Sequence, residues 1–159
     1  EVPEYPEEDS TLRALAVRKT LGGNAVNSGR VLAQLQGARG RVSVLATVPN
    51  RTESDTSRAI ETLEASGVDC SLLEEAGGEG LPTTFIVFSQ KTGSRTMIST
   101  RNGLRELAAE YGEVAIARVF AEAPSMGAPV WLHLECRQDP AVLLQVAKAW
   151  TAHRDKHSA

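Results

Sequence analysis

The sequence predicts an α/β protein in which helices cover a parallel sheet and a smaller second sheet stands apart. Short runs rich in β-branched residues, such as 41–48, suit buried parallel strands. They alternate with segments of helical periodicity, such as 52–66. Because parallel strands need a crossover connection, usually a helix, this alternation predicts a helix-covered parallel sheet. The segments 11–20, 83–89 and 94–100 alternate loosely or return as a hairpin, and they predict the second sheet.

The predicted elements cover most of the 159 residues. An acidic, proline-containing segment at 1–10 is expected to be extended, and one or two strands of modest burial follow at 11–20. A helix capped by Asn24 then follows and ends near Gln36-Gly37. The later elements are a strand at 41–48, a helix at 52–66, a strand at 68–74, strands at 83–89 and 94–100, helical segments at 104–110 and 114–121 broken at Tyr111-Gly112, a buried strand at 130–135, and a helix from 139 to about 153.

Composition excludes several classes of protein. The chain is long enough for one domain with a core, and its apolar fraction of 42% is ordinary for a globular protein. A net charge of −3 without a basic block argues against a nucleic-acid-binding surface. No apolar run approaches the roughly 18 residues that indicate a membrane span. Cys70 and Cys136 lack Cys-x-x-Cys spacing, so we expect two reduced thiols in a cytoplasmic protein.

The segment 22–35 carries the first functional signal. The Gly22-Gly23 pair lets the backbone approach a ligand closely, and Asn24 is predicted to be the N-cap of the helix. Asn24 and Asn27 are three residues apart, so their carboxamides lie on one face of the first turn. Each carboxamide both donates and accepts hydrogen bonds, which suits a polyhydroxylated ligand. The same pattern is also typical of a tight turn that binds nothing.

Four segments, in this order and at this spacing, resemble the N-terminal half of the PfkB (ribokinase-like) carbohydrate kinases, and most of all their ketohexokinase branch. They are Tyr5-Pro6-Glu7-Glu8-Asp9-Ser10, Gly22-Gly23-Asn24-Ala25-Val26-Asn27, Gly93-Ser94-Arg95-Thr96 and Leu132-His133-Leu134-Glu135. The resemblance implies a three-layer α/β/α body with a small β-sheet lid, truncated to its N-terminal half. Residues 1–159 would then form one partial kinase domain, with lid strands near 11–20 and 83–100.

The resemblance also implies roles for individual residues. Asp9, Gly23, Asn24 and Asn27 match sugar-binding positions of the family. Arg95 matches a position that faces the phosphates of ATP, where a guanidinium can pair bidentately with phosphate oxygens. Without the resemblance, Asp9 is typical of a solvated charge and Arg95 of an exposed turn residue.

His133 and Glu135 lie two residues apart and therefore on one face of the predicted strand. Glu135 falls at the carboxyl end of that strand, where open α/β sheets bind ligands, so it is a candidate for lining the site. His133 is more typical of a structural residue at the end of a buried strand. Two such side chains without a third ligand do not predict a metal site, and no metal ligands are assigned in this chain.

The family's closing Asp-Thr-x-Gly-Ala-Gly-Asp segment, which supplies the general base and the anion hole, does not occur in the sequence. We therefore expect the parent enzyme to transfer the γ-phosphate of ATP, with Mg²⁺, to a sugar hydroxyl, and this chain alone to be inactive. In ketohexokinase-like proteins two lids clasp into a dimer, so the resemblance implies a second copy of the chain as partner besides the sugar. Two alternatives stay open: a non-catalytic sugar-binding or lid-mediated dimerisation module, and a nucleoside-directed kinase of the same superfamily.

Overall fold

The computed structural model describes residues 1–36, 41–126, 130–135 and 139–157. Within these ranges the elements are α1 (Asn24–Gln36), β1 (Val42–Ser43), β2 (Ala46–Val48), α2 (Ser54–Ala65), β3 (Val68–Asp69), β4 (Leu73–Glu75), β5 (Thr83–Phe88), β6 (Arg95–Thr100), α3 (Ala109–Met126) and α4 (Pro140–His157). The predicted α/β class is confirmed. No helix in the described part of the chain has the length and apolar character needed to cross a membrane.

The body of the fold contains short parallel strand pairs. β1 pairs with β3 and β2 pairs with β4, and α2 is the crossover that makes both pairings parallel. Between the two pairs, the Val44 amide donates to the Asp69 carbonyl at 3.0 Å. The strands predicted at 41–48 and 68–74 are thus each divided into two short strands.

The first hydrophobic core lies between these strands and the helices α1 and α2. Its buried members are Val44, Val48, Leu63, Val68, Cys70 and Leu73. Val26 and Ala33 of α1 and Ile60 of α2 pack against this cluster, so the core fixes the position of α1. Cys70 is a free thiol whose burial raises its pKa. Cys136 lies outside the described residues.

The hairpin of β5 and β6 confirms both strands predicted for this region. Phe85 pairs with Ile98 and Ile86 pairs with Met97, in an antiparallel register. Since successive side chains point to opposite faces of a strand, these two apolar pairs lie on opposite faces of the hairpin. All four side chains are more than half exposed. Both faces of the hairpin therefore present apolar surface in the lone chain.

The lid strand predicted at 11–20 does not form. The segment is tied to Glu1 instead: the Leu15 amide donates to the Glu1 carbonyl at 2.9 Å, and the Glu1 amino group donates to the Ala16 carbonyl at 2.7 Å. Val17 is 88% exposed. The loose alternation of apolar residues does not produce a strand here, because no strand within the described ranges pairs with this segment.

The helix break predicted at Tyr111-Gly112 is also wrong, since α3 runs through it without interruption. Gly112 lies where α3 meets α4, and a Cβ atom at this position would lie only 2.6 Å from Cγ2 of Val146. The glycine is therefore needed for the close approach of two helices and does not end one. The predicted helical segment at 104–110 is helical only from Ala109.

The strand predicted at 130–135 has no sheet partner among the described residues. Leu132 and Leu134 instead pack, half-buried, against a second core between α3 and α4. The buried residues of that core are Ile116, Phe120 and Val146. Trp131 is 88% exposed, whereas Val130, Leu132 and Leu134 pack against the second core. In the part of the chain that the structure describes, packing against the helices holds this segment in place.

Gly112→Ala should destabilise the protein by about 1–3 kcal/mol, because the added methyl group would overpack against Val146, which is only 2% exposed. Gly29→Ala is the matched control. It also lies within a helix, but its Cβ would meet only Val42 Cγ1, at 3.8 Å, so the better helix propensity of alanine should leave stability equal or raised by up to about 1 kcal/mol. Urea unfolding of both variants measures the difference. Equal effects of the two substitutions would contradict the described contact between α3 and α4.

Candidate functional site

Helix α1 begins at Asn24, and Gly23 occupies the capping position before it. The Asn27 amide donates to the Gly23 carbonyl at 2.9 Å, and the residue whose carbonyl accepts this first helical bond is the N-cap. Gly23 has a φ of +103°, which residues with a side chain rarely adopt. The N-cap prediction for Asn24 is therefore wrong by one residue, which leaves the Asn24 carboxamide available for a contact elsewhere.

That contact is with Glu135, 111 residues further along the chain. Asn24 Nδ2 donates to Glu135 Oε2 at 3.3 Å. Glu135 is held near the start of α1 because the leucines at 132 and 134 anchor its segment to the second core. Two candidate residues that the sequence identifies separately thus lie in direct contact.

His133 belongs to the same group of side chains. Its Nε2 lies 3.2 Å from Glu135 Oε1, so the two oxygens of one carboxylate face two different partners. The His133 side chain is 60% exposed and that of Glu135 is 30% exposed. The sequence interpretation of His133 as a residue of a buried strand is therefore wrong. Its spacing of two residues from Glu135 was the available signal that the two side chains share a face.

The charge of Glu135 also suits the position it occupies. The N-terminus of a helix carries a partial positive charge from its unpaired amide groups. Helix α1 has no acidic residue of its own in its first turn. The Glu135 carboxylate, hydrogen-bonded to the first residue of α1, supplies negative charge there from a distant segment.

The remaining predicted site residues lie on exposed parts of the chain. Asn27 is exposed on the first turn of α1 that also carries Asn24. Asp9 is exposed in a turn and has a φ of +57°, and Arg95 is the exposed first residue of β6. Among the described residues, no hydrogen bond or ion pair joins Asp9 or Arg95 to Asn24 or Asn27. The structure therefore joins α1 to Glu135.

The chemistry of this group is that of hydrogen bonding. The ionised Glu135 carboxylate accepts hydrogen bonds, and the Asn24 and Asn27 carboxamides both donate and accept. Hydroxyl groups, which also do both, are the ligand groups that such a set matches. Within the described ranges, no group of three or more His, Cys, Asp or Glu side chains is placed to hold a metal ion.

Comparison with known proteins identifies the family. The model of the pfkB family of carbohydrate kinases matches residues 2–125. This chain belongs to the pfkB family. Ketohexokinase of Mus musculus is 29% identical to it over 137 residues, which cover 86% of this chain and 41% of that protein.

The fold of this pfkB chain is shared with a solved structure. A crystal structure of an Agrobacterium tumefaciens protein assigned as a ribokinase matches it with a TM-score of 0.52 at 20% sequence identity. The match covers 93% of this chain and 52% of that one. The chain thus spans about half of that structure and less than half of the mouse relative. The family match ends at residue 125, before Glu135, so the contact between Glu135 and Asn24 is an observation from the structure itself.

Proposed function

We propose that this chain is the sugar-binding N-terminal part of an ATP-dependent, ketohexokinase-like sugar kinase that acts in the cytoplasm. The longer kinase would transfer the γ-phosphate of ATP to a sugar hydroxyl. Membership of the pfkB family supports the reaction class, and the similarity to mouse ketohexokinase supports the choice of branch. The observation that carries the proposal is the contact of Asn24 with Glu135, because it assembles hydroxyl-binding groups from two distant segments.

The proposed sugar site centres on the first turn of α1. Gly23 turns the backbone sharply and adds no side chain, so a ligand can approach the Asn24 and Asn27 carboxamides. Glu135 lines the same place and accepts hydrogen bonds from sugar hydroxyls.

We assign Asp9 a sugar contact from the lid side. This role rests on the family resemblance, and closure of the lid would have to bring Asp9 to the sugar.

ATP and Mg²⁺ would be held mainly outside this chain. Arg95 is proposed to face phosphate, and its exposed guanidinium can pair with phosphate oxygens. Within the described ranges no group of three or more His, Cys, Asp or Glu side chains is placed to hold a metal ion, and we assign the binding of Mg²⁺ to the longer kinase on the family resemblance. The chain's own part in the reaction is therefore to bind and orient the sugar, and the chain alone is expected to show no phosphoryl transfer.

We also propose that two copies of the chain associate through the hairpin of β5 and β6. Its exposed apolar pairs lie on both faces, and a two-stranded hairpin is marginal by itself. Covering one face by a second copy would remove apolar surface from water. The exposed apolar surface of the hairpin is also consistent with the alternative that the chain is a non-catalytic dimerisation module.

A coupled ADP-release assay with D-fructose, D-ribose and adenosine separates the kinase from its alternatives. Turnover of a sugar by the longer protein supports the proposal, and preference for adenosine would favour a nucleoside-directed kinase. Absence of turnover in the longer protein would leave a binding module. Sustained turnover by the chain alone would contradict the assignment of the catalytic base to another segment.

Asn27→Ala in the longer kinase should lower kcat/KM for the sugar by roughly 5- to 150-fold and leave KM for ATP nearly unchanged. The reason is that removing one hydrogen-bonding group from a polar site costs about 1–3 kcal/mol when its partner is left unpaired. Gln34→Ala is the control, because Gln34 is an exposed amide two turns further along α1, about 10 Å away. Wild-type kinetics in a folded Asn27→Ala variant would contradict the site.

Sedimentation of the chain at micromolar concentration should show a dimer, and Phe85→Glu should weaken the association at least about tenfold, because a charge would have to be desolvated in the apolar contact. Val17→Glu provides the control: Val17 is even more exposed but lies outside the hairpin. A wild-type chain that stays monomeric throughout this range would contradict the association of lids. Equal weakening by both substitutions would show that the hairpin is not the interface.

A further inference from the structure

We propose that His133 is a positioning residue of the sugar site: its imidazole holds the Glu135 carboxylate, which in turn fixes the orientation of the Asn24 carboxamide. This inference rests on the proposed function, because it assigns a role within the sugar site. It goes beyond that function in naming a residue that does not itself have to touch the sugar. The observation behind it is that both oxygens of Glu135 are engaged, Oε1 with His133 Nε2 at 3.2 Å and Oε2 with Asn24 Nδ2 at 3.3 Å.

The polarity of these hydrogen bonds determines what each group presents. An ionised carboxylate can only accept hydrogen bonds. His133 must therefore carry a hydrogen on Nε2, and Asn24 must direct its NH₂ group towards Glu135. The carbonyl oxygen Oδ1 of Asn24 then points away from the carboxylate, where it can accept a hydrogen bond from a sugar hydroxyl. Without Glu135 in this place, the Asn24 carboxamide could turn over and present its NH₂ group instead.

His133 makes this arrangement more rigid. A glutamate has several rotatable bonds, and a site gains affinity when such freedom is removed before the ligand binds. The backbone on either side of His133 is fixed, because Leu132 and Leu134 pack against the second core. The imidazole therefore reaches Glu135 from a fixed position. Its exposure of 60% makes the expected contribution moderate rather than large.

The effect should appear in sugar binding and not in the chemical step. In the longer kinase, His133→Ala should raise KM for D-fructose, or for D-ribose if that sugar is turned over faster, by about three- to tenfold. kcat and KM for ATP should stay within about twofold of wild type. His133→Gln should restore most of the loss, because the Gln Nε2 group can donate from nearly the same position as the imidazole Nε2.

A second measurement on the chain itself does not depend on activity. NMR of the Asn24 side-chain amide reports its hydrogen bond to Glu135, and His133→Ala should shift these resonances. His133→Gln should return them towards wild type. Trp131→Ala is the control, because Trp131 lies in the same segment and is 88% exposed.

Unchanged Asn24 resonances in His133→Ala would overturn the positioning role. An unchanged sugar KM, or a raised KM that His133→Gln does not lower, would also overturn it. If the wild-type kinase phosphorylates no sugar of the panel, the proposed function fails and the role of His133 towards a sugar fails with it. In that case a shift of the Asn24 resonances would still establish the contact, so the two failures can be told apart.

Discussion

The candidate site depends on one hydrogen-bonded contact, between the first residue of α1 and Glu135. Neither segment can place this contact alone. Helix α1 is fixed by the first core, against which Val26 and Ala33 pack, whereas the 130–135 segment is fixed by the second core, between α3 and α4. The proposed sugar site can form only if these two parts of the chain keep their relative position.

Several polar contacts tie α3 to the strands of the first core. The Tyr111 hydroxyl donates to the Leu73 carbonyl at 3.1 Å, and Arg41 pairs with both Asp69 and Glu122. Burial of Asp69 opposes its ionisation, but hydrogen bonds from Ser71 and Ser43 and the charge of Arg41 outweigh this effect and lower its pKa. Exposed ion pairs contribute little energy singly, so their value here lies in orienting two cores and not in overall stability. The buried apolar residues of each core supply most of the stabilisation.

Sequence patterns within one segment correctly predicted those elements whose formation depends mainly on residues of that segment. The hairpin followed from its alternating β-branched and aromatic strands, and α2 from its apolar periodicity. The segments 11–20 and 130–135 have a similar apolar alternation but no strand partner in the described chain, and pairing is a tertiary property that one segment does not encode. Gly112 was misread for the same reason, because only the position of Val146 shows that the glycine allows two helices to approach. The residues of the proposed sugar site come from the family motifs, whereas the link from Asn24 to Glu135 and His133 required the structure.

A double-mutant cycle on this contact tests the account most directly. Asn24→Ala, Glu135→Ala and the double variant are compared by equilibrium unfolding of the chain, which requires no assumption about the substrate. We predict a coupling free energy of about 0.5–1.5 kcal/mol, the size of a hydrogen bond between two side chains. Pairing Asn24→Ala with Glu79→Ala provides the control, because Glu79 is exposed and no described contact joins it to Asn24, so the two effects should add. Additivity of the Asn24 and Glu135 substitutions would contradict the account, because it would show that the two segments do not meet in solution.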